Sequence, residues 1–370
     1  MRIAFLGCGY VANMYRATLA AHPELELAGV YDQERSRAET MAGLTGAPAY
    51  SDLASLLDDD TVPLVLNLTN PAAHFETSRA LLEAGKHVYT EKPVALGLGE
   101  AMLLAELANS RGLLLSSAPC TLLGPAAQTL LQAVQSDCAG PVRLVYAEME
   151  DGMVPRAPYG KWVNEAGIAW PAIDEFQTGC TVEHAGYVLT WLCAMFGPAR
   201  RVTAFSETVL PDKIPGLRIE PAPDFSVACI TFRSGVIARL TNGLYASHDH
   251  RMRLFGDDGV LTVDDPRSDT SPVRLHRYHT LRRRRFLSPL GKKLQPKGNI
   301  GRIARYRGSQ TRDFCRAVAD MAEAIRTRRP PRLAADFGVH VTELTLACHS
   351  GGDYRLVTDF ADFEPKLWAA

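Results

Sequence analysis

A lysine placed to do proton chemistry follows a short predicted strand. The tripeptide Glu91-Lys92-Pro93 comes directly after His87-Val88-Tyr89, which is typical of a buried strand. Open α/β sheets bind ligands at the carboxyl ends of their strands, where Pro93 fixes the turn and Glu91 is near enough to orient the lysine. Partial desolvation disfavours the charged ammonium, so we predict a pKa for Lys92 that falls toward neutrality. Such a side chain could give or take the proton of a substrate hydroxyl.

A glycine-rich turn near the start of the chain is the second such feature. Arg2-Ile3-Ala4-Phe5-Leu6 reads as a strand that leads into Gly7-Cys8-Gly9-Tyr10-Val11-Ala12 and then into a helix-like segment, 13–21. The first glycine allows a tight turn, the second lets a pyrophosphate approach the backbone, and Ala12 lets the helix pack on the strand. Free N–H groups at the helix start then face the phosphates. The pattern predicts a dinucleotide site formed by Gly7, Gly9, Tyr10 and Val11.

The identity of the dinucleotide depends on the residues after the next strand. Residues 25–31 predict a strand that ends at Asp32, about twenty residues past the glycines, where a carboxylate accepts hydrogen bonds from the ribose hydroxyls. Asp32 would repel a 2′-phosphate, which favours NAD. Arg35 and Arg37 follow closely and could bind such a phosphate, so NADP stays possible.

Two further segments place these features in a family. Residues 66–74 read Leu-Asn-Leu-Thr-Asn-Pro-Ala-Ala-His and residues 83–93 read Glu-Ala-Gly-Lys-His-Val-Tyr-Thr-Glu-Lys-Pro. With the glycine turn, they resemble the Gfo/Idh/MocA oxidoreductases over nearly the whole chain. The resemblance implies hydride transfer between nicotinamide and a hydroxyl or ketone of a sugar, cyclitol or nucleotide-sugar, with Lys92 as acid/base. It adds these residues to the cofactor site: Thr69, Asn70, His74, Glu91 and Lys92.

The resemblance also directs attention to a helix predicted from about Thr181 to Phe196. Many family members carry an Asp and, four residues later, a His on this helix, and counting back from Gly197 places Glu183 and Tyr187 there. One turn apart, the two side chains face the same way. A neutral phenol is a weak base near pH 7, so Tyr187 would hold the reacting oxygen.

The tyrosine itself resembles a branch of the family, and its neighbour supplies another candidate. That branch has a T-x-L-G-x-x-x-Q-T stretch, matched by residues 121–129. His184 is rotated about 100° from Glu183, so only one of the two can point directly at the nicotinamide. Both are kept as catalytic candidates.

Polar and aromatic residues before this helix are candidates for binding substrate. Aromatic rings beside carboxylates suit sugar hydroxyls, although the same side chains could close a core; the residues are Trp162, Trp170, Asp174 and Glu175. His74 either orients the cofactor-side loop or only begins a helix.

We predict no metal site. His248-Asp249-His250 would send both imidazoles to one face, but no third ligand is evident in the sequence.

The elements that must position these residues fall into two sets. Strand and helix signals alternate through the first 120 residues, which predicts a doubly wound parallel α/β sheet, the Rossmann fold. Longer alternating strands beyond residue 140 predict an α+β domain with a large, mainly antiparallel open sheet. We therefore divide the chain into a dinucleotide-binding domain, 1–122, and a substrate-binding and oligomerisation domain, 123–370.

Charge is unevenly distributed along the chain. The 370 residues carry a net charge of −1, yet residues 273–307 hold twelve Lys or Arg and no acid, which leaves −13 for the rest. Proline and glycine within that segment predict an extended basic insertion. If it folds over the site, a phosphorylated or nucleotide-linked substrate is favoured. It has few aromatic residues, so nucleic acid is not an expected partner.

Composition also bears on the cellular setting. No signal-like N-terminus and no run of eighteen apolar residues appear, so we expect neither secretion nor a membrane span. The eight scattered cysteines read as reduced core residues of a cytoplasmic protein. The family resemblance implies a homo-oligomer, a dimer or tetramer.

Two other functions stay open at this stage. In the first, tightly held NAD oxidises a hydroxyl only transiently, so that elimination or glycoside cleavage occurs with no net redox change. In the second, the fold binds dinucleotide as a non-catalytic regulator, against which the retention of Glu91-Lys92-Pro93 argues.

Overall fold

A five-stranded parallel sheet organises the N-terminal part of the computed structural model, which describes residues 1–214, 216–217, 219–296 and 312–361. The middle strands are buried on both faces, as continuous apolar runs require. The strands are β1 Arg2–Leu6, β2 Glu26–Tyr31, β3 Leu64–Asn67, β4 His87–Thr90 and β5 Leu115–Ser117. The helices are α1 Ala12–Leu19, α2 Arg35–Thr45, α3 Leu53–Leu57, α4 His74–Glu83 and α5 Leu98–Ser110. The predicted parallel α/β sheet is confirmed.

The strand order places the ligand crevice. The sheet runs β2-β1-β3-β4-β5, so the chain reverses direction across the sheet between β1 and β3. Ligands bind outside the carboxyl ends of the strands at such a point. Gly7 follows β1, Thr69 follows β3 and Lys92 follows β4, so all three lie along this edge.

A ten-stranded sheet forms the C-terminal part. It runs β13-β12-β11-β10-β6-β9-β8-β7-β15, with β14 paired to β12, and every pair is antiparallel except β6 with β9. The mainly antiparallel sheet is confirmed. The helices are α6 Pro125–Gln135, α7 Ala172–Thr178, α8 Cys180–Phe196, α9 Arg316–Thr327 and α10 Ala335–Ser350. The strands are β6 Val142–Glu150, β7 Ala199–Glu207, β8 Phe225–Phe232, β9 Ile237–Gly243, β10 Met252–Gly256, β11 Gly259–Val263, β12 Val273–Leu281, β13 Arg284–Leu287, β14 Lys292–Lys293 and β15 Gly352–Arg355.

Helix α8 joins the two sheets because it is apolar on nearly every side. It packs against α10 and against β8 and β9, and Val188, Leu189 and Trp191 are buried in a core that also contains Phe5 of β1. A helix that is apolar all round is stable only when it is surrounded. Its first turn therefore lies against the N-terminal sheet, at the level of Lys92.

The basic segment departs from its predicted form. Residues 273–287 make a hairpin at the sheet edge instead of an extended insertion, with Arg282 at φ +53° in the turn and the Arg285 guanidinium 4.5 Å from the Tyr278 ring. The turn lies beside Asp257, at the opposite end of β11 from Arg267. The described hairpin thus runs away from the candidate site. Residues 288–296 return along β12 and include β14, and residues 297–307 of the insertion lie outside the described residues.

Three smaller predictions have different outcomes. Within the described ranges, no helix is both long and apolar enough to cross a membrane. The eight cysteines are all free, and Cys229 is exposed instead of lying in the core. The strand predicted at 113–115 begins two residues later, because a turn at Gly112 carries the chain as far as Leu114. The oligomeric state stays a prediction.

Candidate active site

Lys92 forms an ion pair across the two parts of the chain. It follows β4, its peptide bond to Pro93 is cis, and its Nζ contacts Oε2 of Glu183 in the first turn of α8. The Lys92 and Glu183 side chains are 15% and 8% exposed, so the pair is mostly withdrawn from water. The structure thus joins the two catalytic candidates that the sequence placed on different elements.

The electrostatics of this pair reverse the predicted pKa shift. Burial alone would lower it, but the Glu183 carboxylate, followed by Tyr187, Glu175 and Glu91, raises the pKa of Lys92 above its ordinary value. The prediction of a lowered pKa is wrong because desolvation was weighed without the surrounding acids. In the protein alone Lys92 is an ammonium group, ready to donate a proton.

Glu175, predicted to bind substrate, belongs to the same electrostatic group. Burial and then the Glu183 carboxylate raise the pKa of Glu175 above its ordinary value, although Lys92 opposes them. Trp170 is hydrogen-bonded to Glu175. Glu175 and Glu183 share the single positive charge of Lys92, which favours a proton on one of the two carboxyl groups.

Tyr187 lies next to an arginine that the sequence analysis missed. Nη1 of Arg312 donates to the Tyr187 hydroxyl at 3.4 Å, and the guanidinium lies 5.0 Å from the ring centroid. Nε of Arg312 donates to the carbonyl of Arg267 at 2.8 Å. Arg312 comes just after the basic segment, so its sequence context gave no reason to single it out.

His184 points toward a different partner from Glu183, as their angular separation predicts. Its Nδ1 lies 2.7 Å from Oδ2 of Asp151, which comes directly after β6. Oδ1 of Asp151 lies 2.7 Å from Nη1 of Arg267 and 3.1 Å from Nε2 of His250. Although burial alone would raise it, the pKa of Asp151 is held well below its usual range by His184 and Arg267. Asp151 and Arg267 were not predicted as site residues.

The Asp151 carboxylate also bears on whether His248 and His250 could bind a metal ion. It brings a third ligand-type atom within 4.8 Å of those of the two histidines, a ligand that was not evident in the sequence. Arg267 occupies this place, because its guanidinium contacts Asp151 and lies 3.0 Å from Nδ1 of His250. A guanidinium already supplies the positive charge that a metal ion would bring.

The glycine turn fits a dinucleotide. Gly7 has φ +96°, and a Cβ there would lie 2.7 Å from the carbonyl carbon of Leu68, so only glycine fits. At Gly9 a Cβ would meet no atom within 4 Å, which leaves open space beside the backbone before α1. Asp32 accepts from the backbone N–H of Cys8 and of Glu34, both at 2.8 Å. Its carboxylate is therefore fixed at the end of β2, where the ribose of a dinucleotide binds.

Two of the predicted cofactor residues are buried and hydrogen-bonded between loops of the site. His74 is fully buried, with Nδ1 2.7 Å from the carbonyl oxygen of Pro93 and Nε2 3.0 Å from that of Thr69. Glu91 is also buried, and it accepts from the Tyr15 hydroxyl at 2.5 Å and from the Lys92 backbone N–H at 3.1 Å. Both tie loops together and hold Lys92 in place, while Asn70 is exposed at the edge of the sheet.

The predicted substrate aromatics form a cluster of their own. The Trp162 and Trp170 rings pack edge to face with centroids 5.3 Å apart, and Trp170 also packs on Tyr159 and Phe176. Both tryptophans are only partly buried. The cluster therefore closes a small core while each indole stays partly exposed, and Trp170 lies beside Glu175.

Comparison with known proteins identifies the family. Residues 1–118 match the model of an oxidoreductase family with an NAD-binding Rossmann fold, and residues 127–262 match the GFO/IDH/MocA C-terminal domain. The chain belongs to the Gfo/Idh/MocA family. The predicted oxidoreductase with an NAD-binding Rossmann domain is confirmed.

Several individual members of the Gfo/Idh/MocA family are similar over most of the chain. An uncharacterized oxidoreductase, sll0816, of Synechocystis is 23% identical over 97% of this chain and 96% of its own length. The dTDP-3,4-didehydro-2,6-dideoxy-alpha-D-glucose 3-reductase of Streptomyces violaceoruber is 26% identical over 88% and 85%. The structure of KijD10, a 3-ketoreductase from Actinomadura kijaniata in complex with NADP and TDP-benzene, has a TM-score of 0.72 at 20% identity, covering 95% and 97%.

A loop of the C-terminal part crosses the glycine turn of this Gfo/Idh/MocA protein. Nδ2 of Asn164 donates to the carbonyl of Tyr10 at 3.3 Å, and Glu165 pairs with Arg16 of α1. Farther along, Nδ2 of Asn70 donates to Asp174 at 3.2 Å. These contacts place Asn164 and Glu165 beside the glycine turn, and Asp174 beside the loop that follows β3.

Asn164→Asp is expected to speed the release of NADH by about threefold to tenfold, the effect of one hydrogen bond. The oxygen that accepts from the N–H groups of Ala166 and Ile168 is kept, while the donor to Tyr10 is replaced by a repelling oxygen. Stopped-flow fluorescence measures the rate, with exposed Val163→Ala as the control. An unchanged rate would show that the loop does not cover the bound cofactor.

Glu150→Gln is expected to stabilise the protein more at pH 8 than at pH 5, by about 1–2 kcal/mol in the free energy of unfolding. Burial, followed by Glu148, Asp151 and Asp249, raises the pKa of Glu150 from 4.5 to about 7, and its Oε2 has no hydrogen-bond partner among the described residues. Ionisation of such a group destabilises the fold, and this cost grows between pH 4.5 and 7. Denaturant titrations at the two pH values measure the difference. Exposed Glu76→Gln is the control, and an equal effect at both pH values contradicts the prediction.

Proposed function

We propose that this protein is an NAD-dependent oxidoreductase that transfers a hydride between nicotinamide and a ketone or hydroxyl of a sugar, cyclitol or nucleotide-sugar. The observation that carries the proposal is the buried Lys92–Glu183 ion pair at the carboxyl end of β4, on the same edge as the glycine turn. Bound nicotinamide supplies the hydride chemistry, and the protein supplies position and the proton.

Lys92 acts as the proton donor when a ketone is reduced. Its ammonium group is kept charged by Glu183, so the proton is available at the moment the carbonyl oxygen gains negative charge. In the oxidative direction Lys92 must first pass a proton away before it can accept one from the hydroxyl. In the free protein Lys92 is therefore already in the protonation state that ketone reduction uses.

Tyr187 supplies a second hydrogen bond to the reacting oxygen. Nη1 of Arg312 donates to the hydroxyl oxygen of Tyr187, so the phenol proton can be donated to the reacting oxygen. A lysine and a tyrosine that converge on one oxygen fix its position relative to the nicotinamide.

The preference for NAD over NADP rests on the ion pairs formed by the two arginines that follow Asp32. Arg35 pairs with Glu39 at 2.8 Å, and Arg37 pairs with Glu34 at 2.9 Å. Both guanidinium groups are thus neutralised, while Asp32 presents a negative charge where a 2′-phosphate would lie.

The substrate class follows from chemistry at the crevice and from the relatives. The Streptomyces relative is named as a 3-reductase of a dTDP-sugar, and KijD10 is named as a 3-ketoreductase. In this chain Trp170, which packs on Trp162, is hydrogen-bonded to Glu175. A sugar packs its apolar face on aromatic rings while its hydroxyls bond to carboxyl groups. We assign Asp174 to the rim of the same pocket.

A cofactor and substrate screen tests the proposal. The purified protein is given NADH or NADPH with a panel of keto-sugars, keto-cyclitols and nucleotide keto-sugars, and the reduced-nicotinamide absorbance is followed. We expect turnover with at least one ketone, with kcat/KM at least about tenfold higher for NADH than for NADPH, because Asp32 repels the 2′-phosphate of NADPH. A tenfold ratio corresponds to about 1.4 kcal/mol. Failure of every ketone, and of the corresponding alcohols with NAD, contradicts the proposal.

A further inference from the structure

One edge of the ten-stranded sheet carries a block of positive charge that is largely unpaired. Residues 273–296, which include β12, β13 and β14, contain eight Lys or Arg and no Asp or Glu. Nη1 of Arg274 lies 3.0 Å from Oδ2 of Asp264. The other seven cations form no ion pair with any residue that the structure describes. Their charge is therefore available to an anionic partner.

The tip of the β12–β13 hairpin combines this charge with exposed apolar side chains. Leu281 is 67% exposed and Phe286 is 47% exposed. The antiparallel register places Leu281 opposite Arg284 and His279 opposite Phe286. Because alternate residues of a strand point to opposite faces, these four side chains share one face of the hairpin. Two apolar side chains thus lie side by side, next to the run of four arginines at 282–285.

The anionic surface of a lipid bilayer fits this combination. Its phosphate headgroups attract Lys and Arg, and the acyl region just below them accepts apolar side chains. Nucleic acid would also attract the arginines, but its bases stack on aromatic rings. Leu281, Leu287 and Leu290 are aliphatic and all exposed, and Leu290 is 84% exposed. The apolar part of this edge therefore favours lipid over nucleic acid.

The same charge opposes pairing with a second copy of the chain. A strand at a sheet edge can pair with the same strand of another copy about a two-fold axis. Arg284, Arg285, Lys292 and Lys293 lie along this edge, in β13 and β14. Such pairing would place like charges opposite one another, which is destabilising.

The charge of the remaining chain would orient the protein on a bilayer. Residues 273–307 hold twelve Lys or Arg, whereas the rest of the chain carries a net charge of −13. An anionic surface attracts the first and repels the second, and both effects fall off within about 10 Å. Since the hairpin runs away from the candidate active site, the crevice stays open to soluble substrates.

We propose that the tip of the β12–β13 hairpin docks this protein on an anionic lipid bilayer. The arginines at 282–285 contact the phosphate headgroups, and Leu281 and Phe286 insert among the acyl chains. Docking of this kind is peripheral and reversible, and it needs no membrane-spanning helix. It is independent of the reaction at Lys92, so the proposed function can fail while the docking stands.

Co-sedimentation of the full chain with vesicles tests the charge. One set of vesicles is phosphatidylcholine, and the other is phosphatidylcholine mixed with an equal amount of phosphatidylglycerol. We expect binding to the mixed vesicles to be at least about tenfold tighter at about 0.1 M salt, and the difference to be lost at about 0.5 M salt.

Arg283→Gln/Arg284→Gln is expected to weaken binding to the mixed vesicles by at least about tenfold, because each arginine near such a surface contributes about fivefold. Arg326→Gln/Arg355→Gln removes the same charge from exposed positions on α9 and on β15, the opposite edge strand. Its binding is expected to stay within about twofold of wild type.

A second pair of variants tests insertion. Leu281→Ser/Phe286→Ser is expected to bind the mixed vesicles at least about tenfold more weakly, because two apolar side chains no longer leave water. Leu103→Ser/Val357→Ser changes side chains that are 57% and 73% exposed elsewhere on the protein, and is expected to bind within about twofold of wild type. Melting temperatures verify that every variant is folded.

Three results would overturn the docking. The first is equal binding to the two kinds of vesicle, and the second is wild-type binding by both hairpin variants. The third is tighter binding to a single-stranded RNA oligonucleotide or to polyglutamate than to mixed vesicles of the same charge concentration, which would make nucleic acid or an acidic protein the partner. Loss of binding in the arginine variant alone would disprove the insertion of Leu281 and Phe286.

Discussion

Lys92→Met lowers kcat by about a thousandfold in the direction of ketone reduction, with a smaller change in KM. Among the described residues, Lys92 is the only one whose ammonium group contacts Glu183. The variant removes that group and keeps the length of the side chain. A positioned acid typically accounts for a factor of about 10²–10⁴ in rate, because without it the developing alkoxide must take its proton from water. Steady-state kinetics on the ketone found in the screen measure the loss.

A second lysine of the same region provides a matched control. Lys86 is 3% exposed and precedes β4 as Lys92 follows it, and its Nζ donates to the carbonyl of Asp59 at 2.6 Å. Lys86→Met removes a buried ammonium at the other end of the strand, so its kcat is expected to stay within about threefold once folding is verified. Retention of more than a tenth of wild-type turnover by Lys92→Met would exclude it as the proton donor.

The partner carboxylate gives an independent check of the same pair. Glu183→Gln keeps the shape of the side chain but removes the largest influence that raises the pKa of Lys92. The lysine then loses its proton at lower pH, so the alkaline limb of the reductive pH profile is expected to move to lower pH. An unchanged profile would mean that Glu183 does not hold the proton on Lys92.

Gly7→Ala and Gly9→Ala are expected to fail in different ways, although they are two residues apart. At Gly7 the new Cβ would meet the backbone of Leu68 and Thr69 at 2.7–2.8 Å in a left-handed conformation, which costs about 2–4 kcal/mol of stability. At Gly9 the methyl group enters open space, so the melting temperature stays within about 2 °C. It then fills the approach of the pyrophosphate, and NADH binds at least about tenfold more weakly.

Thermal unfolding and NADH fluorescence titration separate the two effects. Gly43→Ala, where a Cβ also meets no atom within 4 Å, controls for the loss of glycine alone, because it lies in α2 away from the turn. Unchanged NADH affinity in Gly9→Ala would place the dinucleotide elsewhere, and unchanged stability in Gly7→Ala would contradict the described turn.

Much of the N-terminal sheet was predictable because its signals are local. The apolar run of β3 is buried on both faces, and the glycine turn is dictated by steric limits within a few residues. The helix from Cys180 to Phe196 was likewise visible in its composition and in the Gly197 that ends it. These features fixed the family, the crevice and the position of Lys92 along the chain.

Only the tertiary structure determined which ionisable side chains of the site contact each other. Lys92 and Glu183 are 91 residues apart, and only the packing of α8 against both sheets brings them together and reverses the direction of the lysine pKa shift. The contact between Asp151 and His184 likewise depends on β6 ending beside the first turn of α8. Sequence periodicity reports which face of an element is apolar. Coulomb interactions depend on distances between elements, which no local pattern contains.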